Sequence, residues 1–349
     1  MPAGATDVLV RGAGPVGCVA ALALHASGKQ ARLLDERPTP AAFRAAFRPI
    51  VLSYASRLIL ERLGVWPALA PTPIDTIHVS QAGGFGRTVF DAADAGVPAL
   101  GYVIEYSALL HALQIAAREL LTGEEIPARC VVHAEGTAPA REKRYAQDAL
   151  VAAVRFIPAA GRTAFERFTR EGPLALLPLA GGYAVVWSLR PENAQRLLSM
   201  GEAEFLAELA AAAGTRPGRP VALAERAIQP LALRVREESI AERAAYVGNA
   251  AQTLHPVAGQ GLNVGLRDAW DLAQIMREAD DPGDAAVLRR FAARRRLDAG
   301  AAIRVTDLLA SALLRSNPLT GAALTALDIF PAPRRFFARR MIFGPSALP

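Results

Sequence analysis

The sequence predicts an α/β fold, α+β over the whole chain: a doubly wound domain with an inserted β-sheet domain and C-terminal helices. Three observations predict it. The apolar run Val8 to Val10 opens into a glycine turn and then an Ala/Leu-rich stretch. A second glycine-rich turn lies around Gly259 to Gly265. Between the two, alternating runs punctuated by turn residues read as strands.

With 349 residues, 52% of them hydrophobic, the chain can bury a large core in two domains or one large one. Met1 to Thr6 leads straight into the first apolar run, without a basic n-region and cleavage site, so no export is expected and the setting reads as cytoplasmic. Two cysteines, Cys18 and Cys130, suggest neither a disulfide framework nor a thiolate metal site. The five histidines show no short ligand spacing, and no metal is expected. The net charge of +6 is nearly all arginine, Lys29 and Lys143 being the only lysines. These arginines are scattered without an aromatic-interleaved stripe, which reads as solvated surface and not as a nucleic-acid face.

The first element is a buried strand at Val8 to Val10, followed by Gly12-Ala13-Gly14-Pro15-Val16-Gly17 and a helix to about Ala26. Gly12 permits the sharp turn, Gly14 the close approach of a pyrophosphate, and Gly17 close packing of helix on strand. Orphan N–H groups and the helix dipole favour an anion there. A second strand, Ala31 to Leu34, ends in Asp35, eighteen residues after Gly17, where a carboxylate can accept from ribose hydroxyls. This βαβ context is Rossmann-like and leaves FAD and NAD both open.

Further along, a helix is expected through Leu113 to Leu121 and a strand from Arg129 to Val132. Strands are expected at Ile74 to Ser80, Thr88 to Phe90, Ala149 to Phe156, Ala175 to Pro178 and Tyr183 to Leu189, as a sheet covered on one side. The charge-free stretch Gly172 to Leu189 contains Pro173, Pro178 and Gly181-Gly182, and reads as a hairpin instead of a membrane span. Ala245 to Val247 reads as a strand leaving into a turn. Past Asp284, helices are expected at Val287 to Leu297 and Ala301 to Leu314.

The downstream run Gly248-Asn249-Ala250-Ala251-Gln252-Thr253-Leu254-His255-Pro256-Val257-Ala258-Gly259-Gln260-Gly261-Leu262-Asn263-Val264-Gly265-Leu266-Arg267-Asp268 is specific. Its glycines free the backbone to pass close to a planar ligand, and a helix starting near Leu262 aims N–H groups at it. The run resembles the signature of the ubiquinone-biosynthesis hydroxylases, most closely the 2-polyprenyl-6-methoxyphenol hydroxylase branch. Looser similarity at Arg48 to Ser53 with Ser56, at Leu60 to Trp66 and at Gly172 to Pro178 extends it along nearly the full length.

The resemblance implies an FAD-dependent monooxygenase that hydroxylates a polyprenyl phenol with NAD(P)H and O2. It implies that the Leu262 and Asn263 backbone amides face a flavin ring carbonyl, with Gly259 and Gly261 allowing the approach. Asn249 then reaches the ribityl or pyrophosphate region, Pro256 lies beside the flavin face, and Arg48 contacts FAD. His255 reads as a turn residue held before proline, with general base the alternative.

Two departures from the family stand out. Relatives close a strand with Asp-Gly, serving FAD and the nicotinamide coenzyme; this chain has Glu135-Gly136, one methylene longer, which moves the carboxylate by roughly an ångström. Relatives also insert a strand and meander before Arg129, so the sheet edge beside the second strand is expected to be weakened. These departures leave a second reading, a non-catalytic scaffold in a ubiquinone-biosynthesis complex.

Because the two motifs must meet, residues 1–66, 101–145 and 240–285 are expected to form a discontinuous FAD domain. Residues 67–100 and 146–239 then form the substrate domain and 286–349 a helical region. The tail Pro333 to Phe343 mixes four arginines with phenylalanines, as a peripheral membrane segment on the inner face would, or as a helix packing its Phe face on the protein.

Overall fold

A computed structural model describes residues 6–35, 47–136, 141–253, 260–296 and 318–344. In chain order the first part runs β1 (Thr6–Arg11), α1 (Pro15–Ala26), β2 (Ala31–Leu34), β3 (Pro49–Ser53), α2 (Tyr54–Arg62), β4 (Thr72–Ile74), β5 (Thr76–Gln81) and β6 (Arg87–Asp91). Then come α3 (Ala92–Ala95), β7 (Gly101–Glu105), α4 (Tyr106–Ala116), β8 (Leu121–Thr122), β9 (Ala128–His133), β10 (Arg141–Ile157), β11 (Thr163–Phe168), β12 (Pro173–Leu179) and β13 (Gly182–Leu189). The remainder is α5 (Pro191–Ser199), α6 (Glu202–Ala213), β14 (Arg219–Val235), β15 (Ile240–Ala241), β16 (Ala244–Tyr246), β17 (Gln252–Thr253), α7 (Gln260–Arg277), α8 (285–296), α9 (Pro318–Ile329) and α10 (Pro331–Phe343).

Three sheets organise these elements. The first has the order β15-β16-β9-β1-β2-β8, with every neighbouring pair parallel except the β15–β16 hairpin. Val8, Leu9 and Val10 are all but fully buried, as a strand covered on both faces requires. Helix α1 is apolar nearly all round because it packs against both this sheet and α7. Each large apolar side chain in this core, such as Leu24, Leu113, Leu266 or Phe291, contributes about 1.5–3 kcal/mol of burial.

The second sheet has eight strands in the order β17-β14-β10-β13-β12-β11-β5-β6 and is antiparallel except between β11 and β5. The hairpin at Gly181-Gly182 forms in register, with Leu174 opposite Trp187 and Leu179 opposite Gly182. Helices α5 and α6 cover one face, burying Leu197, Phe205 and Leu209 against Leu150, Phe156 and Trp187. The opposite face meets the third sheet, β3-β7-β4, through Ala164, Ile74 and Val103.

This sheet is therefore covered on both faces in its centre, not on one side as the alternation predicts. The alternation misleads because much of the second face carries small residues, among them Ala149, Ala153 and Ala184. Strands β11 and β14 and helices α5 and α6 are absent from the sequence expectations; Pro220 and Pro230 interrupt the β14 pattern, and register shifts bend its partner β10.

Two further corrections concern the first sheet. The helix expected through Leu113 to Leu121 starts earlier, at Tyr106, and ends at Ala116; a 3-10 turn at Arg118–Leu120 follows. Leu121 and Thr122 then pair in parallel with Leu33 and Leu34, so a two-residue strand stands at the edge expected to be open. The helix expected at Ala301 to Leu314 lies outside the described residues.

Candidate functional site: a nucleotide crevice built from two glycine turns

Gly12 takes φ +97°, a conformation only glycine adopts at low cost. Its N–H donates to the Leu34 carbonyl at 2.9 Å, tying the turn to the end of β2. A Cβ on Gly12 would sit 2.7 Å from the Glu135 backbone, and one on Gly17 only 1.9 Å from the Gly12 oxygen. Both positions are closed to any side chain.

Gly14 differs. A Cβ there meets nothing nearer than the Tyr106 hydroxyl at 4.0 Å, so its outer side is open. It caps α1 with no side-chain hydrogen bond and no acid in the first turn, and Pro15 occupies the first helical position. An open, uncapped helix start is what an anion needs. Tyr106 also carries Arg48, whose guanidinium carbon lies 4.6 Å from the ring centroid, so this exposed cation stands beside the turn.

The strand ends line up. Leu34, Arg11, His133 and Tyr246 are in register across β2, β1, β9 and β16. Asp35, Gly12, Glu135 and Asn249 consequently emerge side by side at the carboxyl end of the parallel sheet. That crevice is where open α/β sheets bind ligands. Asp35 is half-buried and Asn249 exposed.

Glu135 folds back on its own strand. Its Oε1 lies 2.6 Å from His133 Nδ1, and its Oε2 accepts from the Ala134 N–H at 3.1 Å. Burial works against the carboxylate, but the His133 and backbone bonds outweigh it and hold Glu135 below the usual range. The His133 ring stacks on Tyr246 at 4.8 Å, and Arg236 lies 3.6 Å from the Tyr246 centroid. The extra methylene thus gives the carboxylate an intramolecular partner, which the glutamate alone does not reveal in the sequence.

The second motif meets the first directly. Gly248, at φ +57°, would place a Cβ 3.0 Å from both Val16 methyls, and Gly265 one 2.8 Å from a Val16 methyl and 3.1 Å from Gly248 Cα. Val16 of the first turn is therefore wedged between two glycines more than 230 residues further on. Helix α7 is described from Gln260, with Gly261, Leu262 and Asn263 in its first described turn.

Asn263 has a role that the sequence reading missed. Its side chain is 1% exposed, accepts from the Ser53 N–H at 2.8 Å and the Ser56 hydroxyl at 2.7 Å, and donates to the Val51 carbonyl at 2.8 Å. Ser53 in turn caps α2 through the Ser56 N–H. The Arg48 to Ser56 similarity was the available signal: this segment locks the opening of α7 in place. Deeper in α7, Asp268 pairs with buried Arg295 of α8 at 3.1 Å. His255, Pro256 and Gly259 lie outside the described residues.

The donor set and open space suit FAD. The closed turn at Gly12 and Gly17, the room at Gly14 and the carboxylate at Asp35 fit an adenosine diphosphate. N–H groups in the first described turn of α7, at Gly261 to Asn263, suit an electron-rich carbonyl.

Comparison with known proteins agrees. Residues 140–306 match the family described as the FAD binding domain. The chain is 31% identical over 338 residues to the 3-demethoxyubiquinol 3-hydroxylase of Escherichia coli K12, covering 84% of this chain and 86% of that one. It is 31% identical to the ubiquinone hydroxylase UbiL of Rhodospirillum rubrum, covering 91% and 83% respectively. In fold it is similar to Klebsiella pneumoniae HpxO complexed with FAD and uric acid, with a TM-score of 0.76 at 17% identity over 97% of each chain.

Proposed function

Because the chain belongs to the family of FAD-dependent ubiquinone-biosynthesis hydroxylases, we propose that it hydroxylates the ring of a prenylated phenol of the ubiquinone type, using NAD(P)H and O2. The observation that carries this reading is the packing of Val16 against Gly248 and Gly265, which brings the two distant motifs together. Matches to hydroxylases over most of their length support catalysis over the scaffold alternative.

The chemistry FAD supplies when bound is acceptance of a hydride from the nicotinamide and activation of O2 toward an electron-rich ring. The chain's own residues bind and orient. The α1 start at Gly14, with Arg48 alongside, would hold the pyrophosphate; Asp35 would take the ribose hydroxyls, and Asn249 would contact the ribityl or pyrophosphate region. Backbone N–H groups at Leu262 and Asn263 would stabilise negative charge on the ring, their turn being fixed by the Asn263 side chain's bonds to Val51, Ser53 and Ser56. Pro256 and His255 are assigned to the flavin face by resemblance alone. The eight-stranded sheet, with Phe47, Val151 and Leu231 on the cofactor side, excludes water and accommodates an apolar substrate.

The C-terminal helices suit a lipid-borne substrate. One side of α10 packs on the protein, with Ala338 and Ile342 against Phe90 and Leu100. The other side leaves Phe336 71% exposed; Ile329 at 64% and Phe330 at 58% are exposed where α9 ends, and Arg335, Arg339 and Arg340 are exposed on α10. Arg334 is engaged by Asp94 at 2.8 Å. Three arginines at an anionic leaflet contribute about 3 kcal/mol, enough for reversible association. No described helix is long and apolar enough to cross a membrane.

The test uses purified protein. A yellow preparation whose NAD(P)H oxidation is stimulated more by a prenylated than an unprenylated phenol, with a hydroxylated product, is expected. A colourless protein that fails to take up added FAD refutes it. Sedimentation with anionic liposomes is expected to weaken in Phe336→Ser; unchanged binding removes the membrane contact.

A further inference from the structure

The eight-stranded sheet has one polar feature that the proposed chemistry leaves unused. In β11, Phe165 lies near Tyr183 and His78 on the helix-covered face, and Arg167 approaches Gly214 at the end of α6. Strand alternation then sends Ala164, Glu166 and Phe168 to the opposite face. Ala164 packs there on Ile74 and Val103 of the β3-β7-β4 sheet. That small sheet is the one held by Asn263 at the opening of α7. Glu166 therefore points to the cofactor side of the sheet.

Its surroundings are apolar. Glu166 stands between Val79 on β5 and Ala175 on β12, with Val186 and Val151 next in the same row. Among the described residues the Glu166 side chain has no ion pair or hydrogen bond. The charged residues of the neighbouring elements are turned away: Arg167, and His78 with Arg216, are on the helix-covered face, while Asp328 holds the β6 edge and Arg334 holds Asp94. On the near side, Gln81 Nε2 and Thr88 Oγ1 are buried without partners among the described residues.

The residue keeps part of its surface accessible, yet burial pushes its carboxyl up to about 7. Glu166 is thus a half-buried carboxyl set in an apolar row of the sheet. An unpaired carboxylate in such a place is costly unless a ligand satisfies it.

Building on the hydroxylase reading, we propose that Glu166 is the polar anchor of the substrate pocket, accepting a hydrogen bond from the phenolic hydroxyl and so setting which ring carbon faces the cofactor. Accepting that bond also raises electron density in the ring, the direction electrophilic hydroxylation needs. No proton need leave the phenol, and no further reactant is required. The apolar row along Ala175, Val186 and Val151 takes the prenyl substituent.

The test compares the holoenzyme with Glu166→Gln, using a 2-prenylphenol and its methyl ether as probes. Wild type is expected to bind the phenol at least tenfold more tightly than the ether, with kcat/KM rising through an apparent pKa near 7. Glu166→Gln is expected to bind both alike, to lose that limb of the profile, to keep its FAD, and to keep its Tm at pH 4, where the wild-type carboxyl is protonated. Retained discrimination and an unchanged profile in Glu166→Gln overturn the anchor alone. Wild type that holds FAD but binds neither probe overturns the anchor and the phenol reading together. Should the Gln variant unfold, Glu166→Asp is read instead, with loss of discrimination expected and full retention contradicting the proposal.

Discussion

The parallel sheet and the eight-stranded sheet build their sites from different material. At the strand ends of the first, the chain presents backbone: closed glycines at 12 and 17, an open one at 14, and the first turn of α7. On the second, it presents side chains chosen by alternation, with Glu166 among alanines and valines. A backbone site constrains residue type and spacing, whereas a side-chain face constrains little beyond size and polarity. Substitutions in the two regions should therefore fail in different ways.

The largest expected effect is Gly17→Ala, whose Cβ would lie 1.9 Å from the Gly12 carbonyl oxygen with only backbone to move. A loss above about 4 kcal/mol, read as failure to recover soluble protein, is expected. Recovery of a yellow, stable Gly17→Ala protein would erase the distinction between closed and open glycines. Next is Asn263→Ala, which removes three hydrogen bonds and leaves the Ser53 N–H and Val51 carbonyl wanting. A cost of about 4 kcal/mol by denaturant unfolding, with weaker FAD retention, is expected.

Glu166→Gln should act in the opposite sense and only at the higher pH. A carboxyl raised toward 7 carries no penalty below its unfolded value near 4.5 and the full penalty above 7. The Gln variant is thus expected to gain up to about 3 kcal/mol at pH 8 and nothing at pH 4. Equal Tm values for the two proteins at both pH values would show that the carboxylate is solvated. Gly14→Ala, with room for its methyl, should fold with an unchanged Tm and bind FAD about tenfold more weakly, near 1.4 kcal/mol by titration.

The smallest expected effect is at Glu135. Its carboxyl is held low, so its contact with His133 is present above the ordinary carboxylate range and lost as pH falls through the depressed value. Because this side chain is substantially exposed, Glu135→Gln should change Tm at pH 7 by under about 1 kcal/mol equivalent. The informative readout is the KM for NAD(P)H, which should move if the relatives' coenzyme role survives here.

The same contrast explains what could be read in advance. Gly12, Gly17, Gly248 and Gly265 were legible as glycines because close backbone approach excludes other residues, whereas Gly14 and Asp35 are expected from motif spacing and not from crowding. Asn263 was legible as a motif position but not as a side-chain clamp, since its partners Val51, Ser53 and Ser56 meet it only in three dimensions. Glu166 carried no local signal: in Phe165-Glu166-Arg167-Phe168 it reads as the polar half of an alternation. Only the pairing of β11 with β5 and β12 reveals that both of its flanks are apolar. The two-residue strand β8 was invisible because its pairing is decided by the preceding 3-10 turn and not by any strand pattern.

The wedge of Val16 between Gly248 and Gly265 also fixes when the cofactor can be loaded. On the ribosome, the first turn emerges more than 230 residues before its counterpart, an interval of roughly 12 s or more at about 5–20 residues per second. During that interval the nascent chain has the turn proposed for the phosphates and lacks the one proposed for the ring. Flavin capture is accordingly a late event, completed only when translation has passed α7.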